Sequence, residues 1–322
     1  MAVRGGIFKM HWHWLIVIYL FLGGLGAGAY LTSFAAEKGW LGKDSSLSRA
    51  GYFIAAPVVA FGTVLLVFDL GQGLHKPWLL IRLLSNFSSV MTWGVYILSA
   101  FIMVGLLKGY FAFIKKSAPK LLSWAGAILA LATGAYTGLL LSVVEAVPFW
   151  NSGLMPVLFV TSALSTGLSV TSLLAPWLEK GNFKEGREGE AHIYLIGAEL
   201  IIVAIFFGMM NSGVYGAVGQ ESAELLISGV YALIFWGYFI GLGLLFPLVV
   251  FMIPYLRSKQ AVKQLAKGPS VAEREVAATV QKEHHNSYLT IATDISVIIG
   301  GFALRAIIIL AALPIWDGIT IP

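Results

Sequence analysis

Cysteine is absent from all 322 residues. That excludes disulfides, thiolate zinc sites and iron–sulfur clusters held by the protein itself, since each needs sulfur ligands. Charge is scarce as well: Asp, Glu, Lys and Arg supply 11% of the residues, where soluble domains carry roughly 25%. A water-facing surface cannot be built from so little. Histidine is rare, at positions 11, 13, 75, 192, 284 and 285, and only His13 reads as lying within a hydrophobic segment. A membrane haem gripped by two facing histidines is therefore not expected. No basic–aromatic platform stands outside the hydrophobic segments, so the net charge of +5 does not point to nucleic acid. Basic loops on one side of a membrane explain it.

Apolar residues are present in excess. They make up 58%, and mean hydropathy is +0.84. The apolar runs fall at 13–36, 51–69, 89–107, 121–145, 154–177, 191–211, 224–253 and 288–313. Each is long enough for a helix to cross a hydrocarbon core about 30 Å thick. The expected fold is an all-α integral membrane protein with eight transmembrane helices. The first run is as long as a full span and lacks a clear signal-peptide processing site, so it counts as a helix. The short Pro148–Gly153 connection suggests two four-helix bundles, 1–147 and 148–322, the second including the long loop 254–287. Within that loop Ser270–Glu283 is charged and reads as a helix. Gly24 and Gly28 form a small-xxx-small pair that invites close approach by another helix.

Basic residues set the orientation. Of the 21 Lys and Arg, 16 lie in the loops after the first, third, fifth and seventh runs, and four lie on the other side. By the positive-inside rule the former loops are cytoplasmic and both termini are outside.

Ionisable groups within spans are costly and by default mark function. His13, Asp69 and Glu145 stand near the outer face, with Tyr19 and Tyr136 deeper on that side. Glu199 and Asp294 enter from the cytoplasmic ends of their spans. Each has a bland reading beside it. His13, in His11-Trp12-His13-Trp14, suits an interfacial anchor; Asp69 and Glu145 suit solvated helix ends; the tyrosines suit packing. Glu199 and Asp294 are the least comfortable as structure and suit a charged pair or proton relay. Arg305 lies eleven residues beyond Asp294, about 16 Å along a helix, too far to pair with it. The segment 72–77 lacks the spacing of a phosphate loop. Pro57, Pro156 and Pro247 leave open an alternative, a secondary transporter with interrupted helices.

Five stretches carry a family resemblance: WLIVIYLFLGGLGAGAYL (14–31), LLVFDLGQGLHKPW (65–78), SVMTWGVYIL (89–98), GAYTGLLLSVVEAVPFWNSGLMPVLFVTSALSTG (134–167) and GGFALRAIIIL (300–310). In this order, across nearly the whole sequence, they resemble the polysulfide-reductase-type membrane subunits, also called NrfD-like. The resemblance implies an eight-helix subunit that exchanges electrons with menaquinone or ubiquinone and holds no haem, cluster or metal of its own. It implies two partners beyond the surrounding lipid: a four-cluster ferredoxin-like iron–sulfur subunit on the outer face and a molybdopterin catalytic subunit. By motif position the quinone site maps to His13, Ile16, Tyr19 and Tyr136. Some members carry a polar residue at the position of Ile16 and a histidine at that of Tyr19. Members also often carry arginines where this sequence has Gln72 and Val147, positions expected to face the partner. Asp69, Glu145, Glu199, Asp294 and Arg305 remain the candidates for proton transfer.

Overall fold

The computed structural model describes residues 14–42, 45–69, 86–179, 186–265 and 287–315. Among the described residues all regular structure is helical, and eight helices are long and apolar enough to cross a membrane. They are α1 (Trp14–Glu37), α2 (Leu47–Asp69), α3 (Val90–Phe113), α4 (Lys120–Ser142), α5 (Leu154–Glu179), α6 (Glu188–Asn211), α8 (Leu233–Leu245 continuing as Phe246–Leu265) and α9 (Ser287–Leu310). Between α6 and α8 lies a short helix, α7 (Gly216–Ile227). The apolar run expected at 224–253 is thus divided. Gly229 and the turn around it separate α7 from the span proper. The helix expected over Ser270–Glu283 lies outside the described residues.

The centre of the molecule is α1. It packs against α2 and α4 and also against α5 and α9. Within both α1 and α9, 72% of the most apolar stretch is buried, against 22% for α8. Uniformly apolar helices can take either position, so steric fit decides. On α1 that fit is made by glycine: a Cβ at Gly28 would lie 1.8 Å from the Ala163 carbonyl oxygen, and one at Gly167 would lie 2.1 Å from the Gly28 carbonyl carbon. The small-xxx-small pair thus lets α1 and α5 touch backbone to backbone. Gly51 does the same for α2 against Ala29 of α1, at 2.0 Å.

The first part of α8, Leu233–Leu245, is wound as a π-helix. Pro247 follows it directly. Proline cannot donate to the carbonyl four residues back, and its ring crowds that carbonyl; a widened turn relieves the crowding. Gly243 in this segment meets Gly300 of α9, where a Cβ on either would come within 2.5 Å of the other backbone. Pro57 is accommodated inside an uninterrupted α2.

At the end where α1 begins, the connection after α4 is tightly folded. Trp150 is fully buried and its indole Nε1 donates to the Ile308 carbonyl at 2.7 Å. Ile315 N donates to the Ala146 carbonyl at 2.8 Å. Val147 is fully buried in this plate. The expectation that its position faces a partner is corrected here: an apolar side chain at 147 turns inward among Phe149 and Trp150. Gln72 lies outside the described residues.

Candidate functional site

Three polar groups of different character are buried in the helices. The first lies between α1 and α4. Tyr19 is fully buried, stands close to Tyr136, and its hydroxyl has no hydrogen-bond partner. Tyr136 is nearly as buried, and its ring lies across Gly94 of α3, where a Cβ would fall 1.8 Å from Tyr136 Cζ. A Cβ on Gly62 of α2 would meet Leu22 Cβ at 3.1 Å and would stand at ordinary contact, 3.7 Å, from the Tyr19 ring. Ile16 is buried three residues before Tyr19, close to one turn away on the same side of α1. Of the candidate residues, Ile16 and Tyr19 thus share a side of α1, and Tyr19 stands close to Tyr136 of α4. His13 lies outside the described residues. Across α2, on its outward side, Ala60, Thr63, Val64, Val67 and Phe68 with Ile102 of α3 line an apolar groove of about 350 Å³.

A buried hydroxyl without a partner costs roughly 1–3 kcal/mol. Proteins retain such a group where a ligand or a water completes it. The Tyr19 hydroxyl is a donor in an apolar surround beside a second phenol, which suits a neutral ligand with a carbonyl oxygen. A quinone head group fits that description.

The second group centres on Arg305, which is fully buried. Its Nη1 donates to Ser162 Oγ at 2.5 Å and to the Gly301 carbonyl at 3.0 Å. Its Nη2 donates to the Phe159 carbonyl at 3.3 Å, and the guanidinium lies over the Phe159 ring, 5.2 Å from the centroid. Glu199, 2% exposed, hydrogen-bonds to the same Ser162 and supplies the opposite charge. The acceptor for Arg305 that the sequence does not identify is thus an α5 serine shared with an α6 carboxylate. Gly24 makes the room: a Cβ there would sit 3.0 Å from Arg305 Nη2. Arg305 therefore stands where α1, α5 and α9 meet.

The third group is His192 and Asp294, buried to 1% and 2% exposure. His192 Nε2 lies 3.4 Å from Asp294 Oδ1, longer than a good hydrogen bond. The imidazole stacks on Phe251 of α8 at 4.4 Å. Ser169 of α5 faces the Asp294 carboxylate without closing a well-formed hydrogen bond. His192 Nδ1 has no partner. This histidine corrects the expectation that only His13 lies within a span. It stands in the second turn of α6, one residue inside an apolar run, where hydropathy alone reads it as a boundary.

Two proton-transfer candidates stand apart from these groups. Glu145 is exposed in the loop after α4, which ends at Ser142. Asp69 is the last residue of α2, and its side chain lies outside the described residues. A further network is not visible in the sequence. At the end of the molecule away from the start of α1, Glu37 Oε2 accepts from Tyr52 Oη and from Lys108 Nζ, both at 2.7 Å. Lys108 Nζ also donates to Ser123 Oγ at 2.7 Å, and Ser123 Oγ donates to Glu37 Oε1 at 3.0 Å. Lys108 is 5% exposed, a tie between α1, α2, α3 and α4 and not the loop cation its place near a run's end suggests. One signal of this is present: the apolar sequence resumes after it, Gly109 to Ile114. Every described member of this network is satisfied, so it reads as structure. Among the described residues, no cluster of three or more His, Cys, Asp or Glu could hold a metal.

The fold and these groups define a class: a polytopic helical membrane protein with buried charges in its spans and an orphaned phenol deep between helices. Comparison with known proteins takes this further. Residues 6–266 match the family model described as "Polysulphide reductase, NrfD". The sequence is 34% identical over 270 residues to the C subunit of polysulfide reductase from Wolinella succinogenes, an alignment spanning 74% of this protein and 82% of that one. It is 29% identical over 272 residues to protein NrfD of Escherichia coli K12, spanning 74% and 83%, and 30% identical over 280 residues to the NrfD homolog of Haemophilus influenzae, spanning 75% and 83%. The protein belongs to the NrfD polysulphide reductase family.

Proposed function

We propose that this protein is the membrane anchor and quinone-reactive subunit of a respiratory oxidoreductase of the polysulfide, sulfur or thiosulfate reductase type. In this reading it passes electrons between the quinone pool and a four-cluster iron–sulfur subunit at the outer face, and the terminal chemistry belongs to a molybdopterin subunit beyond. The start of α1 and the Trp150 plate lie at that outer face, with both termini outside, as the 16-to-four split of basic residues suggests. The observation that carries the reading is the partnerless, fully buried Tyr19 hydroxyl beside Tyr136. Family membership supports it, and so does the name of the Wolinella relative.

A bound quinone would supply a two-electron, two-proton couple. The residues here bind and orient it. Tyr19 and Tyr136 each offer one O–H donor, and Ile16 with the surrounding α1 and α2 side chains excludes water. His13, the residue before Trp14, belongs to the same quinone-binding set, and Asp69 and Glu145 are the outer-face candidates for proton exchange with the outside. The apolar groove between α2 and α3 gives an isoprenoid tail a lipid-side seat. The first four helices carry this chemistry. The second half carries Glu199, Asp294 and Arg305, to which we assign proton transfer from the cytoplasmic side.

Tyr136→Phe removes one donor and keeps the ring on Gly94. Losing a hydrogen bond to a bound ligand costs about 0.5–1.5 kcal/mol, so quinol turnover by the purified complex should fall roughly three- to ten-fold. A quinone-site inhibitor should weaken to the same extent. Tyr19→Phe should do likewise while raising thermal stability, because it deletes an orphaned hydroxyl. Unchanged turnover and inhibitor affinity in both variants would leave the tyrosines as packing residues.

A further inference from the structure

Helix α3 ends at Phe113 and α4 begins at Lys120. Two backbone bonds close the end of α3: Lys115 N donates to the Ala112 carbonyl at 3.3 Å, and Lys116 N donates to the Phe111 carbonyl at 3.1 Å. This pair of bonds stops a helix by putting one residue in the left-handed conformation, a position that glycine ordinarily fills. Here it is Lys115, with φ 54°, the only described residue other than glycine at positive φ. A Cβ in that conformation crowds the following carbonyl, so lysine costs stability that glycine would not. The positive-inside rule asks for basic residues within a loop, at no particular place in it. Orientation alone does not account for a lysine here.

Lys115, Lys116 and Lys120 are all exposed, and no Asp or Glu occurs anywhere between Asp69 and Glu145. From α1, Glu37 reaches this end of the molecule, but Lys108, Tyr52 and Ser123 already engage its carboxylate. Lys38 of α1 adds a further cation. Its Nζ lies 4.0 Å from Glu37 Oε1 and 5.6 Å from the centre of the Trp124 ring. Trp124 stands four residues beyond Lys120, on the same side of α4. Directly behind the lysines the surface turns apolar. Phe113 and Leu121, on either side of the turn, are 72% and 80% exposed. Leu121, Trp124, Ile128 and Leu131 continue as one exposed stripe along α4, and Leu106, Tyr110 and Phe113 do the same on α3. The two helices pack on each other, so both stripes start from one basic turn.

We propose that the α3–α4 turn is a binding site for one anionic phospholipid, whose phosphodiester head group is held by Lys115, Lys116 and Lys120 while its acyl chains lie along the exposed stripes of α3 and α4. Charge and apolar surface meet on the protein in the order in which they meet on the lipid. Each ammonium offers three donors and no acceptor, and each lysine stem can lie on apolar surface while its charge stays in the head-group layer. Trp124 suits the same boundary, with an apolar ring and one polar N–H. A zwitterionic lipid brings a cation of its own to the lysines, so the turn selects net negative charge. A free phosphate ion shares the head-group chemistry but has no chains for the stripes. Only a bilayer around the helices is needed here; the quinone reading is not.

The test purifies the protein from membranes in mild detergent, with the subunits it retains, and titrates lipid by native mass spectrometry. Phosphatidylglycerol is the probe and phosphatidylcholine the comparison. Lys115→Gly with Lys120→Gln should weaken phosphatidylglycerol binding about thirty-fold, the effect of removing two cations beside an anionic lipid. Phosphatidylcholine binding should not change. Arg257→Gln with Lys259→Gln removes equal charge from an exposed stretch of α8 and should alter neither lipid. Lys115→Gly alone should weaken phosphatidylglycerol about five-fold while raising the melting temperature in lipid-free detergent. A purely structural lysine would give the second change without the first, and this single variant serves should the double one fail to assemble. Wild-type phosphatidylglycerol affinity in the lysine variants, an equal loss in the α8 control, or no saturable binding by the wild type would each overturn the site. Displacement of the lipid by millimolar inorganic phosphate would overturn it too, making the turn a site for a free anion.

Discussion

Gly28→Ala strips most of the folded protein from the membrane, and Gly197→Ala leaves it unchanged. The two positions differ only in what a methyl group meets. At Gly28 it would lie 1.8 Å from the Ala163 carbonyl oxygen and 2.6 Å from the carbonyl carbon, both backbone atoms of α5. No side-chain rotation relieves that contact, so α1 and α5 must part. Overpacking a well-packed site typically costs about 1–3 kcal/mol; a backbone clash on the central helix belongs at the top of that range. At Gly197 nothing lies within 4 Å, and alanine is the better helix former. Expression level and the fraction surviving heat in detergent read this directly. If Gly28→Ala matches the wild type in both, α1 and α5 are not in backbone contact.

Arg305→Met should destabilise the protein by about 3–5 kcal/mol, the cost of leaving a buried partner charge uncompensated. Adding Glu199→Leu should recover most of that loss, because the pair then leaves together. The double-mutant cycle measures the coupling, and neighbours that share a partner do not add. Arg305→Lys should not rescue. The guanidinium reaches Ser162, Gly301 and Phe159 at once through a planar fork that an ammonium cannot copy. Equal stability of Arg305→Met with and without Glu199→Leu would show that Glu199 is not the counter-charge.

Both predictions turn on contacts that the sequence only partly discloses. The spans are legible because apolar length is a one-dimensional signal. Gly24 and Gly28 announce close packing because their spacing is local, although nothing local names α5 as the partner. Glu199, Asp294 and Arg305 stand out as charges in apolar runs, but the sequence cannot say that Ser162, 143 residues from Arg305, joins two of them. Serine within an apolar run barely moves hydropathy, so Ser162 leaves no trace. His192 and Lys108 read as boundary residues because each sits near a run's end; their burial comes from neighbouring helices. Val147 is assigned to the partner side only by analogy with an arginine that this protein lacks, and an apolar side chain at that position packs inward. Pro247 marks α8, but only the backbone shows that the strain is taken up as a π-wound segment before it.

The quinone site is the central claim, and photolabelling tests it most directly. The purified complex would be irradiated with an azido-quinone, digested and mapped by mass spectrometry, with excess unlabelled quinone as competitor. The account predicts competed label on α1 and α4 around Ile16, Tyr19 and Tyr136, and its loss when Gly94→Leu drives the Tyr136 ring from its place against α3. Competed label confined to another subunit, or to helices away from α1 and α4, would contradict it.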